Sequence, residues 1–273
     1  MSMAMAAPSG FDGARLDAVL KKQDDAAKAR YKYRHPKETL EFFGIEPGMN
    51  VVELVPGGGW YSKILLPYLG KDGQVTAVGY ADPLLRSFSN GETTERMWNF
   101  QYGYTKNTVE SLKGWAGEDG AQAKAFLNGE LPHDFIGTAD AVLAIRGLHH
   151  LNRFDVKNFE VALDDFMTIL KPGGVVGVVQ HEAAEDADDK WANGDNGYLK
   201  KSLVIKRFKD AGFEFVAETD LNENPKDKPG AEDGVWRLPP TLGTSQEDEA
   251  LRKKMEAIGE SNRMTLLFRK PKS

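Results

Sequence analysis

Val51-Val52-Glu53-Leu54-Val55-Pro56-Gly57-Gly58-Gly59-Trp60 decides how the rest of the chain is read. Two β-branched residues and an acid lead into three consecutive glycines. Trp60-Tyr61-Ser62-Lys63-Ile64-Leu65-Leu66 then continues as a helix-like run. The pattern predicts a buried strand, a glycine turn and a helix N-terminus. Glycine at such a turn lets a ligand approach bare backbone. The helix start beyond it offers unpaired N–H groups at the positive end of the helix dipole. A nucleotide-like small molecule is the usual occupant of such a site.

Downstream, Gly70 stops the helix and Gln74-Val75-Thr76-Ala77-Val78-Gly79 reads as a second buried strand, so strand, helix and strand follow within one right-handed parallel unit. Ala139 to Ile145 is a further strand, ending in Arg146-Gly147-Leu148-His149-His150-Leu151. Phe159, Leu163, Phe166, Met167 and Leu170 recur at helical spacing. Lys171-Pro172-Gly173-Gly174 ends that helix, and Val175 to Gln180 is a fully buried strand. Another helix is expected over 198–211, and late strands over Phe213–Thr219 and Met264–Arg269. The stretch 80–130 is harder to read: a short helix within Arg86–Asn107, a strand at Thr108–Leu112 and a helix at Ala121–Leu127 are the expectations. Upstream, the charged, alanine-rich residues 14–30 predict one solvent-facing helix, and Pro36 opens a second short one ended by Gly44.

Strands alternating with helices predict an α/β doubly wound, mostly parallel sheet covered on both faces, with an antiparallel pair at one edge. The expected organisation is a partly helical N-terminal extension over 1–35 and one α/β domain over 36–273, with an insertion around 221–260 that is rich in Asn, Pro, Lys, Asp and Glu.

Composition narrows the function classes. The 273 residues are 41% hydrophobic and 28% charged, ordinary for a globular protein, and 35 basic against 41 acidic residues give a net charge of −6 without a strong basic patch. Nucleic acid is therefore a poor match as main substrate. The absence of cysteine removes disulfides, zinc–thiolate sites and cysteine nucleophiles. No apolar run approaches the roughly 20 residues of a membrane span. Met1–Gly10 reads as a disordered start or as the remnant of a trimmed signal peptide, which leaves cytoplasm and periplasm both open.

With these motifs in place, the chain resembles a class I S-adenosylmethionine-dependent methyltransferase over roughly residues 36–220 and the last strand. Glu53 to Gly59 stands where that family keeps its acid and glycines after the first strand. Ala139 to Leu151 is similar to its fourth strand and following turn, and Leu170-Lys171-Pro172-Gly173-Gly174 to the turn before its fifth. More narrowly, Tyr33-Arg34-His35-Pro36, the Pro-Gly-Gly-Gly-Trp-Tyr turn and Trp236-Arg237-Leu238-Pro239 resemble a group of bacterial methyltransferases predicted from sequence, without assigned substrates. The resemblance implies a seven-stranded Rossmann-like sheet, S-adenosyl-L-methionine as cofactor and methyl transfer to a small-molecule substrate. Two departures stand out. Val55 replaces the family's first glycine, and a β-branched residue disfavours positive φ there. Gly79 replaces the acid that usually ends the second strand and holds the ribose, leaving Tyr80 or Asp82 to that task.

Candidate cofactor contacts are thus Glu53, Gly57, Gly58, Gly59, Tyr61, Tyr80 and Asp82. A nicotinamide site would want Gly-x-Gly-x-x-Gly, and a phosphate loop Gly-Lys-Ser/Thr; neither spacing is present. Arg146, His149 and His181 are the candidate catalytic residues, at strand ends where open α/β folds place ligands. A histidine there can take a proton from an oxygen or nitrogen nucleophile, and Arg146 can pair with a carboxylate. His150 is a weaker candidate for the same role. No metal is expected, although histidines 149 and 181 with acids from Glu182–Asp189 form a conceivable metal set. Tyr33, Trp236 and Arg237 are candidates for a lid over the substrate. The alternative is a non-catalytic binding protein that kept the fold and lost the cofactor geometry, or an enzyme on the same fold using another ligand.

Overall fold

The computed structural model describes residues 10–88 and 95–272, and the expectations for Met1–Gly10 lie almost wholly outside that range. Helices α1 (Gly13–Lys22), α2 (Asp25–Lys28), α3 (Tyr31–Arg34) and α4 (Pro36–Phe42) precede strand β1 (Asn50–Leu54). Helix α5 (Ser62–Leu69), β2 (Gln74–Gly79), α6 (Asp82–Ser87), α7 (Glu95–Ala116) and β3 (Gln122–Leu127) follow. Then come β4 (Ala139–Ile145), α8 (Leu148–Arg153), α9 (Lys157–Ile169), β5 (Leu170–Ala183), the two-residue β6 (Leu199–Lys200) and α10 (Lys201–Asp210). Strand β7 (Glu214–Thr219), α11 (Glu249–Ile258) and β8 (Arg263–Arg269) complete the described chain.

The strands form one sheet in the order β3-β2-β1-β4-β5-β8-β7, with β6 beside β5. All pairs are parallel except those of β8, which runs antiparallel to both β5 and β7. The doubly wound sheet and the antiparallel pair at its edge are as expected, with the reversed strand one place in from the rim. Alternate residues feed two cores. Val52, Leu54, Val142 and Ala144 face α9 and α10 with Phe159, Phe166 and Phe208. Val51, Ala141 and Leu143 face the other way, onto Leu16, Leu40, Ile64 and Leu65. Both faces are buried, which is why these strands read as near-continuous apolar runs.

Three expectations are corrected. Residues 14–30 are not one helix. Asp24 turns its carboxylate back to accept from the Ala27 N–H at 2.7 Å, capping a new helix where the first would have continued. Thr108–Leu112 is not a strand but part of the 22-residue α7, whose Leu112 is fully buried in the core that also holds α5. Ala121–Leu127 is not a helix: Gln122–Leu127 pairs with β2 along all six residues. Alanine's helical preference, a few tenths of a kcal/mol per residue, is outweighed by a strand edge already waiting for a partner.

Strand β1 connects outward to β2 and β3 on one side, while β4 begins the run on the other. The pair β1/β4 is therefore the topological switch point, where the loops at the carboxyl ends diverge and leave a crevice. The insertion reaches this crevice: Val235 to Thr241 lies beside it, and Glu260 and Ser261 enter just before β8.

Candidate functional site

A cleft of about 640 Å³ opens at the carboxyl ends of β1 and β4. Glu53, one residue before the end of β1, forms its floor and is 3% exposed. The Ser62 hydroxyl, at the start of α5, donates to its Oε2 at 2.5 Å. Burial dominates over that bond and pushes the carboxyl up to about 7. In the unfolded chain Glu53 ionises at an ordinary carboxylate pH. Between that point and about pH 7 the folded protein therefore binds a proton that the unfolded chain has released, and stability falls with rising pH. Glu53→Gln keeps the bond to Ser62 and removes the titration. Urea unfolding from pH 4 to pH 8 should show the variant gaining on the parent across this window and holding its lead above it. A constant difference would contradict a neutral buried carboxyl.

The residue after β1, Val55, adopts φ 48°, and the residue after β4, Arg146, adopts φ 57°. A β-branched residue in the left-handed region is a strained one. The chain thus makes a left-handed turn after β1 with a valine at the position where glycine was expected. Val55 and Arg146 are held in register by their N–H groups, which donate to Val78 at 2.8 Å and to Val179 at 2.7 Å. Gly57 and Gly58 line the cleft, and a Cβ at either would meet nothing within 4 Å. Gly59 differs: a Cβ there would run into the Trp115 ring of α7, so this glycine serves packing and does not line the cleft. Tyr61 lines the cleft, buried, with its hydroxyl 3.4 Å from the Arg34 carbonyl.

At the end of β2, the Tyr104 ring of α7 stands 2.6 Å from where a Cβ of Gly79 would be. That ring occupies the space an acidic side chain would need. Tyr80 lines the cleft edge-on to His150, with ring centroids 5.8 Å apart. Asp82 opens α6, and its side chain lies outside the described residues.

His149, His150 and His181 converge beside Tyr80 in the cleft lining. The ring centroids of His149 are 4.0 Å from His150 and 5.4 Å from His181. Gln180 fixes the chemistry of His149. Its Nε2 donates to the Gly197 carbonyl at 3.0 Å, which turns its Oε1 toward His149. That oxygen can only accept, so the proton on His149 sits on Nδ1, at 3.3 Å. Nε2 is then left unprotonated, and it has no partner. Burial, followed by the neighbouring His150, holds His149 well below the ordinary imidazole range. Burial also lowers His181, whose Nδ1 is 2.6 Å from the Ser261 hydroxyl, and brings His150 down to about 4. At neutral pH these imidazoles are neutral bases or acceptors, not cations.

A buried charge cluster adjoins them. Glu260 accepts from Arg30 at 2.6 Å, from Arg34 at 3.1 Å and from Arg263 at 3.1 Å. Arg34 also lies over the Trp60 ring, 4.5 Å from its centroid. Arg146 has no ion-pair partner among the described residues, and its Nε is buried without a hydrogen bond. Burial, and then the charges of neighbouring arginines, bring Arg34 down to about 9 and Arg146 down to about 10. Both stay charged at neutral pH.

The structure therefore brings Glu53, Gly57, Gly58, Tyr61, Tyr80, Arg146, His149 and His181 to one cleft. Of the expected lid residues, Trp236 lines it, 6.1 Å from the His149 ring. Arg237 pairs instead with Asp227 at 2.7 Å, and the Tyr33 ring lies against Gly259. The acids of 182–189 turn away: Glu182 reaches Lys201 at 3.4 Å and Glu185 accepts from Ser202. Among the described residues no His and acid group is placed to hold a metal ion. Gln180, Arg34, Arg30 and Glu260 escaped the sequence reading as site residues. The only signal for Arg34 was its place beside Tyr33 in a quoted motif.

No family model matches the chain, and no curated protein sequence is similar to it. Solved structures are similar in fold. The 4+2 cyclase SpnF is 14% identical with a TM-score of 0.55, the match covering 100% of this chain and 89% of that one. A Galdieria sulphuraria protein provisionally assigned as a sarcosine dimethylglycine methyltransferase is 12% identical with a TM-score of 0.51, covering 93% of this chain and 90% of that one. At such identities the likeness concerns the fold, a Rossmann-like methyltransferase fold whose sheet topology the chain reproduces.

Proposed function

We propose that the chain is an S-adenosylmethionine-dependent methyltransferase acting on a small molecule. The observation that carries this reading is the pairing, in one cleft, of a glycine cradle open at both Cβ positions with a neutral imidazole whose free Nε2 has no partner. Glu53, Gly57, Gly58, Tyr61 and Tyr80 would hold the cofactor. When bound, it supplies a methyl group already activated by a sulfonium leaving group. The chain's own task is then to orient the acceptor, exclude water and receive a proton. His149 Nε2 takes that proton from the acceptor's oxygen or nitrogen as its methyl bond forms. Gln180, by keeping the other ring proton on Nδ1, is the positioning residue for this step.

Gly58→Val tests the cradle. The position is exposed with open space around it, so the fold should change in stability by no more than about 1 kcal/mol. Calorimetric titration with S-adenosylhomocysteine should show affinity reduced about tenfold or more as the side chain bars approach to the backbone. No binding of either cofactor form to the parent protein would sink the proposal.

The second reading, a non-catalytic ligand-binding protein, is favoured by Tyr104 standing at Gly79 and by the strained Val55. It expects no transfer of labelled methyl from the cofactor to any compound in a metabolite mixture, and such transfer would reject it.

A further inference from the structure

The cleft holds more positive charge than the chain neutralises. Arg30, Arg34 and Arg263 share a single carboxylate, Glu260, and Arg146 adds a fourth guanidinium to the cleft with no ion-pair partner among the described residues. Arg263 is fully engaged: Nη1 donates to Glu260, Nη2 to the Tyr33 carbonyl and Nε to the Ser261 carbonyl. The other three line the cleft with donors to spare. Nη2 of Arg30, Nη2 of Arg34 and Nε of Arg146 are buried without partners. Arg34 is 2% exposed, and the Arg30 side chain is 22% exposed, so the bay runs from the interior toward the opening. The remaining ionisable groups at the cleft are otherwise occupied: the second carboxyl, Glu53, accepts from Ser62 and is pushed by burial up to about 7. Exposed Asp24 caps α2, and Lys63 lies over the Trp115 ring at 4.9 Å. Guanidinium groups that outnumber their counter-charge in low dielectric are costly unless an anion completes them.

From this we infer that Arg146, Arg34 and Arg30 form a bay for a carboxylate or phosphate group carried by the methyl acceptor. The inference rests on the methyltransferase reading for what is done to that acceptor. S-adenosylmethionine carries a carboxylate, an ammonium and a sulfonium, and so is a net cation. Adding it to this cleft increases the positive charge, which an anionic acceptor offsets. Arg146 stands three residues before His149 on the turn after β4. An acceptor anchored there by its anion is brought to the wall that carries the free imidazole nitrogen. Guanidinium groups suit such an anchor because their fork matches the paired oxygens of carboxylate and phosphate.

The test is calorimetric titration of the full chain with inorganic phosphate and with sulfate at fixed ionic strength, alone and with saturating S-adenosylhomocysteine. Both anions should bind, and binding should persist with S-adenosylhomocysteine present. Arg146→Gln and Arg30→Gln should each weaken the anions about tenfold, the weight of one charge-assisted contact. Neither should change S-adenosylhomocysteine affinity by more than about threefold, since less than 1 kcal/mol of its binding would involve them. If Arg146→Gln fails to melt cooperatively, Arg30→Gln, nearer the opening, carries the test. Absence of anion binding, or binding indifferent to both substitutions, overturns the bay. If S-adenosylhomocysteine displaces the anions, and the variants lose it while keeping methylthioadenosine, which lacks the amino-acid end, the bay holds the cofactor's own carboxylate and the acceptor assignment falls. Anion binding that needs the arginines in a protein that never binds S-adenosylhomocysteine would keep the bay and overturn the methyl-transfer reading alone.

Discussion

Glu260→Gln is expected to lower the unfolding free energy by about 3–5 kcal/mol at pH 7, the range for removing one partner from a buried ionic network. The side chain is 4% exposed and is the shared acceptor of Arg30, Arg34 and Arg263. An amide there leaves three guanidinium groups facing one another with no counter-charge. These arginines hold the carboxylate below its ordinary range despite burial. The stabilisation is thus fully present above the unfolded carboxylate pKa and is lost as pH falls through the lower folded value. Urea denaturation of parent and variant should show a gap that is wide at neutral pH and narrows in acid. An equal loss at all pH values would assign the effect to shape, not charge. The same carboxylate joins segments 226 and 230 residues apart in sequence, so its loss should also loosen α3 against the start of β8.

His149→Gln is expected to reduce methyl transfer by about a hundredfold to ten-thousandfold, the usual range for a positioned general base. Cofactor affinity should change far less than the rate, because glutamine still fills the space of the ring and leaves Gly57 and Gly58 untouched. The loss should appear in single-turnover transfer of labelled methyl to the acceptor, with calorimetry of S-adenosylhomocysteine as the control. Since burial holds the imidazole below its ordinary range, the parent's rate should stay flat from pH 6 to pH 8 as far as this residue governs it. Because Glu53 in the same cleft ionises at about 7, the profile is read in Glu53→Gln as well: a titration near the ordinary imidazole pKa that survives there would mean that His149 meets solvent during turnover.

Where hydrophobic period and turn chemistry agreed, the fold was legible. Strands β1, β2 and β4 lie where the apolar runs end in Gly or charged turns, and α9 follows its helical spacing. The failures cluster between β2 and β4. Gly103, Thr108, Gly114 and Val109 weaken the helical signal of α7, and its packing on α5 and β3 supplies what local preference lacks. Conversely, Ala121, Ala123 and Ala125 promise a helix until β2 offers its edge. The site divides in the same way. Residues carried on strand ends or in the turn and helix just after them, such as Glu53, Arg146, His149 and His181, could be placed from topology alone. Arg30, Arg34 and Glu260 could not, because their meeting depends on how the N-terminal helices and the insertion close over the sheet edge. Gln180 sits mid-strand among apolar residues, and its role is visible only once its amide is seen between Gly197 and His149.

The contact of Tyr104 with Gly79 makes two positions interdependent. Position 79 on β2 and position 104 on α7 are sterically coupled, and neither can be changed singly without conflict. An aspartate introduced at 79 would collide with the ring, and a small residue at 104 alone would leave a void beside a bare strand end. The pair is mutually contingent, so the order in which substitutions accumulate matters as much as their identity. Trp115, one helix surface further along, binds Gly59 into the same dependency. One helix, α7, thereby ties two backbone positions beside the cleft to glycine, the end of β2 and the turn after β1, so neither can be given a side chain until the helix face that covers it is rebuilt.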